Sequence, residues 1–499
     1  MLLHSLLRQL DAQLAVSHLP NLNIACVQDD SRRVRPGDLF IARPGTKSDG
    51  RQFIADAAAR GAVAVVTATP VADSPLPAVV LTDIATATSR LAHILRGQPS
   101  HRLTVLGVTG TNGKTTTAYL LRHILASVGR RCGMIGTVEI DDGRGCRPAE
   151  LTTPGAVDVA DLMAAMRDNG CDSCAMEVSS HALDQGRVAG VCFAGAAFTN
   201  LTQDHLDYHK TMDAYAAAKA RLFEMLQPSA VAAVNAEDPW SGRIARDCRG
   251  RLVRWGFGPD ADYRATDVQV SAEGSRFLLT TPSGQAQVRM HLVGRHNVAN
   301  ALTAAALASE VCGVPAGQVA AALADAAGAP GRLTPVRCGQ PFAVLVDYAH
   351  TDDALRNVLT ALRPLTAGRL RVLFGCGGDR DRTKRPKMAA VAQELADVVY
   401  VTSDNPRTEN PQDIINDITA GFRADSSGQP SRRIVVEIDR RRAIERALAE
   451  ACGGDVVLLA GKGHEAYQII GSTKHPFDDA REAKRVLQVK KPDAREFAQ

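Results

Sequence analysis

The segment LGVTGTNGKTTT, Leu106 to Thr117, sets two glycines, a lysine and a run of threonines directly behind an apolar stretch. Gly110 and Gly113 allow a turn tight enough for successive backbone N–H groups to face one phosphate. Lys114 adds a point charge, and Thr115 reaches a magnesium ion. The chemistry is the binding of a nucleoside triphosphate. The spacing departs from GxxxxGK[ST], because Val108 stands five residues before Gly113. A glycine turn with no ligand is the plainer reading, but an apolar strand, Gly-Lys-Thr and a helical stretch from Ala118 to Val128 coincide here. The loop alone leaves kinase, ATPase, motor and ligase open.

Two more polar turns follow apolar runs. Cys174 to Val178 carries Glu177 and empties into Ser179-Ser180-His181; Phe198 empties into TNLTQDHLDYH, with Asp204, His205, Asp207 and His209. Glu177 and His205, both at strand ends, are read as groups on the Mg²⁺ side of the phosphates, although either alone fits an ordinary polar loop. In MDAYAAAKARLFEML, helical periodicity puts Met212, Tyr215, Lys219, Leu222 and Leu226 on one stripe. A lysine on an apolar face usually extends its ammonium to water. Burial instead lowers its pKa and leaves a neutral amine able to take up CO₂ as a carbamate.

Near the carboxyl end, DYAH, GCGGDRDR, SDNPR and AGKGHE each come directly after an apolar run. In a parallel sheet all four turns open on one edge. The ligand they suit is zwitterionic: Arg380 and Arg407 take carboxylates by paired N–H bonds, and Asp404 and Glu465 take ammonium groups. Asn405 adds a polar contact, and Pro406 stiffens the approach of Arg407.

The elements that must position these groups fall into three sections, 1–99, 100–334 and 335–499. The first has short αβ patterns and ends near Gly97-Gln98-Pro99-Ser100. The second opens with the strand Leu103 to Val108 and ends where Gly328, Pro330 and Gly331 break an alanine-rich region. The third repeats strand, polar turn and helix, with strands expected at Phe342–Val346, Leu370–Phe374, Val398–Thr402, Ile434–Ile438 and Val456–Ala460. The expected class is α/β, with a central phosphate-loop unit and a carboxy-terminal parallel sheet of Rossmann type.

Composition narrows the function. With 499 residues, 45% of them hydrophobic, the chain buries several cores, so a disordered or fibrous protein is excluded. The 58 basic and 54 acidic residues are interspersed and leave a net charge of +4, so nothing calls for nucleic acid. MLLHSLLRQL lacks the form of a signal peptide and no stretch reaches membrane-spanning length, so a cytoplasmic protein without membrane insertion is expected. Eleven scattered cysteines fit reduced thiols, and Cys171-Asp-Ser-Cys174 has no second pair to complete a zinc pattern.

GTNGKTTT, MEVSSHAL, FTNLTQDHLDYHKTMDAYAAAK, DYAHTDDAL, GCGGDRDRTKRP, SDNPRTENP and AGKGHEAYQ, in this order, resemble the Mur ligases of peptidoglycan synthesis over nearly the whole chain. The resemblance is to those members that join meso-2,6-diaminopimelate to UDP-N-acetylmuramoyl-L-alanyl-D-glutamate. It implies three domains, Mg²⁺ as cofactor, ATP as co-substrate, and a monomer acting through an acyl phosphate. It also implies catalytic roles for Lys114, Lys219 and His205. The ATP site falls on Gly110, Thr111, Asn112, Gly113, Lys114, Thr115 and Thr116, with Asn297, Arg332 and Asp347, and His350 close by. The metal side falls on Thr115, Glu177, His205 and Lys219, the last as N6-carboxylysine. The UDP-linked dipeptide falls on Ser31, Thr152, Thr153, Ser179, Gln185 and Arg187. The amino acid falls on Arg380, Asp404, Asn405, Pro406, Arg407, Gly461 and Glu465. Leu151, His296, Asp352 and Thr46-Lys47-Ser48 depart from the family's pattern. The alternatives are a ligase of the same family that adds L-lysine, which lacks the second carboxylate that Arg407 suits, and a more distant ligase resembling folylpolyglutamate synthetase.

Overall fold

The computed structural model describes residues 1–45, 48–271, 274–423 and 432–489; Thr46 and Lys47 lie outside the described residues. Its α/β framework is built on three main sheets. The first has four parallel strands in chain order, Val27–Gln28, Leu39–Ala42, Ala64–Thr67 and Ala78–Val80. Its core takes in Val157 and Ala160 of the helix Ala156–Asp168. The first sheet is thereby seated on the second section, and the Arg96–Asp161 ion pair at 2.6 Å reinforces the contact.

The second sheet has eleven strands. Seven adjacent ones are parallel: Cys132–Ile135, Ser173–Glu177, Thr104–Thr109, Gly195–Phe198, Val231–Asn235, Arg251–Gly256 and Tyr263–Ser271. Antiparallel strands extend both edges. Burial on both faces explains the continuous apolar runs: Leu106 and Val108 enter the core on one side of the sheet and Val105 the core on the other. Chain order reverses around Thr104–Thr109, which has Ser173–Glu177 on one side and Gly195–Phe198 on the other. A strand at such a switch point opens its carboxyl end onto a crevice, and the phosphate loop lies there.

The third sheet runs Thr334–Pro335, Ala343–Asp347, Val456–Ala460, Leu370–Phe374, Val398–Val401 and Arg433–Val436, parallel after the first strand. Two expected strands, Leu370–Phe374 and Val456–Ala460, have the expected limits. Val398–Val401 stops one residue early, although Thr402 N still donates to Phe374 O at 3.0 Å. Val372 and Phe374 face one core while Leu373 faces the other. The turns after Ala343–Asp347, Leu370–Phe374, Val398–Val401 and Val456–Ala460 thus leave on one edge of the sheet. A hairpin, Tyr467–Ile470 with Thr473–Pro476, folds down beside these loops.

Candidate active site

The helix behind the phosphate loop begins at Lys114, four residues earlier than its alanine and leucine content suggests, and runs to Ser127. Gly113 precedes it at φ +87°, and Gly110 sits at φ +149°. A Cβ at Gly110 would collide with Thr199 Oγ1, and one at Gly113 with Asn300 Oδ1, so only glycine permits this cradle. Lys114 folds back across the loop, its Nζ donating to the carbonyls of Gly110 at 3.0 Å and Thr111 at 2.9 Å. Thr115 Oγ1 donates to Glu177 Oε2 at 2.9 Å, and Glu177 also accepts from Thr137 N at 2.7 Å and Thr137 Oγ1 at 2.9 Å. A hydroxyl beside a carboxylate at a phosphate loop is a hard-oxygen pair suited to Mg²⁺, which takes one or two protein oxygens and fills its shell with phosphate and water. His205 adopts a left-handed backbone at φ +54°. Burial lowers its pKa against the pull of Asp204, 3.5 Å away, which keeps the imidazole neutral and its lone pair free.

Lys219 is 1% exposed. Its Nζ donates to Gly110 O at 2.7 Å, the same carbonyl that Lys114 uses, and lies 4.4 Å from the centre of the Tyr215 ring. Among the described residues no carboxylate lies within ion-pair distance of it. Burial first, and the Lys114 charge second, push its pKa well below that of an ordinary lysine. The helical stripe thus buries the amine instead of extending it to water.

A second cavity adjoins the cradle and is lined by Thr115, Thr116, Asn297, Asn300, Arg332 and Asp347, so the three distant ATP positions meet the loop. Asp347 is buried, which pushes its carboxyl up; its two oxygens accept from Leu333 N and Ala349 N, both at 2.8 Å. Arg332 reaches Thr115 Oγ1 at 3.4 Å and stacks 4.7 Å over Tyr348. His296 lines this cavity too, whereas His350 belongs to the amino-acid pocket. Asp352 occupies the first turn of the helix Asp352–Leu362, where an acidic residue suits the helix dipole.

Asp353, which the sequence did not single out, joins the sections. Its Oδ2 accepts from Asn112 Nδ2 at 2.8 Å and from Thr202 Oγ1 at 3.1 Å, tying the phosphate loop to the third sheet's first helix. Asp353→Ala is expected to raise KM for ATP by roughly 5- to 10-fold, the worth of one or two hydrogen bonds, while Asp353→Asn keeps an acceptor and loses less. Steady-state kinetics at varied ATP check this, and an unchanged KM in the alanine variant contradicts it.

The positions assigned to the UDP-linked dipeptide form a chain of contacts beside Glu177. The Thr152 and Thr137 hydroxyls are hydrogen-bonded at 3.0 Å, Thr153 Oγ1 donates to Glu177 O at 2.8 Å, and Ser179 N donates to Thr153 Oγ1 at 3.0 Å. Arg187 donates to Thr153 O at 2.7 Å and to Gln185 Oε1. Burial and the nearby Arg43 lower the Arg187 pKa, so two basic groups from different sections converge. Ser31 is buried at the start of the turn Ser31–Arg33 in the first section. Leu151, one of the departures, is 51% exposed.

The turns of the third sheet do meet in one pocket. Arg380, Asp404, Asn405, Arg407, Gly461 and Glu465 line it, and Asp204 and His205 of the central section close its other wall. Lys384, Tyr348 and His350 also line it and were not read as amino-acid contacts from the sequence. Pro406 lies behind this wall: a Cβ on Gly378 would strike its carbonyl, and Gly378 N donates to Asn405 O at 2.9 Å. Arg385, 0% exposed, braces the turns by donating to Gly377 O, Glu409 and Asp417. The motif DRDRTKRP conceals it, because only the fold shows which arginine turns inward.

Family models agree with this architecture. The Mur ligase family catalytic domain matches residues 23–93, the Mur ligase middle domain 108–308, and the Mur ligase glutamate ligase domain 331–463. The chain is 46% identical to the UDP-N-acetylmuramoyl-L-alanyl-D-glutamate–2,6-diaminopimelate ligase of Gloeobacter violaceus, over 98% of each chain. It is 47% identical to the enzyme of that name from Synechococcus elongatus, over 94% of each. A solved structure of a UDP-N-acetylmuramoyl-L-alanyl-D-glutamate–2,6-diaminopimelate ligase superposes with a TM-score of 0.68 at 34% identity, over 97% of this chain and 98% of that one. With these matches over nearly its whole length, the chain belongs to the Mur ligase family.

Proposed function

We propose that the chain joins meso-2,6-diaminopimelate to UDP-N-acetylmuramoyl-L-alanyl-D-glutamate in the cytoplasm, as a monomer of three domains, 1–99, 100–334 and 335–499, with ATP consumed to ADP and phosphate. The observation that carries the reading is the pocket that holds Arg407 and Glu465 on one wall and His205 on the other. It brings a site for a diamino diacid against Asp204 and His205 of the central section. Among the described residues, no helix is long and apolar enough to cross a membrane.

In the first step a carboxylate oxygen of the acceptor's D-glutamate attacks the γ-phosphorus of ATP, and ADP leaves. In the second the amine attacks the acyl carbon, loses a proton, and phosphate departs. Lys114 and the loop N–H groups hold the phosphates in line, while Asn297, Asn300, Arg332 and Asp347 hold the nucleotide. Thr115 and Glu177, with His205, would hold Mg²⁺, which would neutralise phosphate charge. Thr152, Thr153, Ser179, Gln185 and Arg187 align the acceptor, with Ser31 at its far end. Carbamylated Lys219 places a negative charge between Lys114 and the metal side, turning the repulsion of two lysines on one carbonyl into attraction. Asp404 and Glu465 receive an ammonium and Arg407 a carboxylate.

The test is turnover of the UDP-linked dipeptide with ATP, Mg²⁺ and each amino acid separately. Release of ADP is expected with diaminopimelate at a kcat/KM at least ~100-fold above that with L-lysine, the discrimination available when a buried polar group is left unpaired. Preference for lysine rejects the reading, and failure with any UDP-muramoyl peptide returns the folylpolyglutamate-like alternative.

A further inference from the structure

The amino-acid pocket has a lysine beneath it. Lys462 is 0% exposed, and its Nζ donates to Tyr467 O at 2.7 Å and Asn405 Oδ1 at 3.2 Å. The same ammonium stands 3.2 Å from Asp404 Oδ1 and 3.6 Å from Glu465 Oε2. Asn405 is fixed in consequence: Oδ1 accepts from Lys462 and from Ile469 N at 2.9 Å, and Nδ2 donates to Glu465 Oε2 at 2.8 Å. One nitrogen therefore joins the SDNPR turn, the turn after Val456–Ala460 and the hairpin.

Resting on the reading above, we propose that Lys462 is a positioning residue that keeps Asp404 and Glu465 both ionised: one buried cation shared by two carboxylates leaves their oxygens as acceptors, and the single negative charge of the trio suits one ammonium group. Two carboxylates this close cannot both stay ionised in a buried site without a cation. The other charged and titratable groups facing them do not replace it. Arg440, the nearest buried cation, is committed to Asp479 at 2.6 and 2.8 Å and to Ala460 O. Arg407 reaches Gly378 O at the pocket's rim, and His350 is held neutral by burial. Tyr348 and Tyr467 are pushed up by burial and carry no charge near neutral pH. Burial and then Asp404 raise the Glu465 carboxyl, while Lys462 draws it down. Burial also works against the ionised form of Asp404, yet Lys462 and Arg440 hold that carboxyl below its ordinary value. Without Lys462 the pair keeps a proton at neutral pH: the net charge stays at one, but the proton lies on the carboxyls and turns an oxygen that would accept from the ammonium into a donor.

Lys462→Met in the full chain tests this against Glu465→Gln and the double variant, with KM for diaminopimelate measured from pH 7 to 8.5. Lys462→Met is expected to raise that KM roughly 30-fold or more at pH 7. The ratio to the parent KM should shrink as pH rises and the retained proton leaves, with KM for ATP unchanged. Because Lys462→Met with Glu465→Gln leaves Asp404 as the one carboxylate, with no neighbour to share a proton, the double variant should bind the amino acid no worse than Lys462→Met alone. A purely structural lysine predicts the opposite: a ratio flat with pH and losses that multiply. Either result overturns the proposal, as does a double variant as insoluble as an insoluble single one, whereas a soluble double variant beside an insoluble single one supports it. If the parent prefers lysine, the functional reading fails but the same measurements with lysine still decide the role of Lys462.

Discussion

Lys219→Ala is expected to lower kcat by roughly 10²–10³-fold, the usual loss when a group aimed at developing charge is removed, and short carboxylic acids are expected to restore part of it. The physical reason is the position of the amine. Two lysines donate to the carbonyl of Gly110, one of them 1% exposed and without an ion-pair partner among the described residues. A buried ammonium beside a second ammonium is the least favourable state of that group, and burial with the Lys114 charge pushes the Lys219 pKa well down, towards the amine form. An amine beside the phosphate cradle takes up CO₂ with loss of one proton, and the resulting carbamate pairs with Lys114. A free carboxylate diffusing into the alanine cavity supplies the same charge. Phosphate release measured with and without added acetate or propionate, and with CO₂ removed, checks the claim. Thermal melting of the variant separates lost chemistry from lost fold, and full activity in the alanine variant contradicts the carbamate.

Much of this site is legible in the sequence because its chemistry is carried at strand ends. Apolar runs of four to six residues announce buried parallel strands, and the polar turn after each must emerge on the ligand-binding edge. For that reason the sequence groups Arg380, Asp404, Arg407 and Glu465, and one pocket holds them. Lys219 was legible through periodicity, since its helix buries Tyr215, Lys219 and Leu222 together.

What stayed hidden depends on contacts between distant segments. Asp353 is an ordinary first-turn carboxylate until the third sheet docks against Asn112. Lys462 reads as a turn lysine inside GKGHE, and only the hairpin and the SDNPR turn closing over it make it a buried cation. The antiparallel strands Gly274–Thr281 and Gly284–Met290 alternate buried and exposed residues, a weaker signal than an apolar run. The hairpin Tyr467–Ile470 and Thr473–Pro476 has partly or fully exposed strands and left no pattern to read.

Arg407→Ala is expected to raise KM for diaminopimelate by roughly 30- to 100-fold while KM for ATP stays within about 2-fold, because a charge-assisted carboxylate contact is lost on one substrate only. Arg407 N donates to Ile469 O at 3.1 Å and its carbonyl accepts from Gly471 N at 2.8 Å, so the hairpin fixes the backbone at a left-handed φ of +51°. One guanidinium nitrogen donates to Gly378 O at 2.8 Å, and among the described residues no carboxylate lies within ion-pair distance of the side chain. Arg407 lines the pocket, and its remaining N–H donors make no ion pair among the described residues. A substrate carboxylate completes that set; L-lysine offers none at its second centre and therefore loses less from the substitution. The left-handed backbone itself costs alanine about 1 kcal/mol, so Arg407→Gly, which relieves that strain, separates backbone from side chain. Arg407→Lys should recover little, because an ammonium cannot present two parallel N–H bonds. Competition kinetics with diaminopimelate and lysine give the result. Equal losses on ATP and on both amino acids would assign Arg407 to the fold of the turn and remove it from substrate choice.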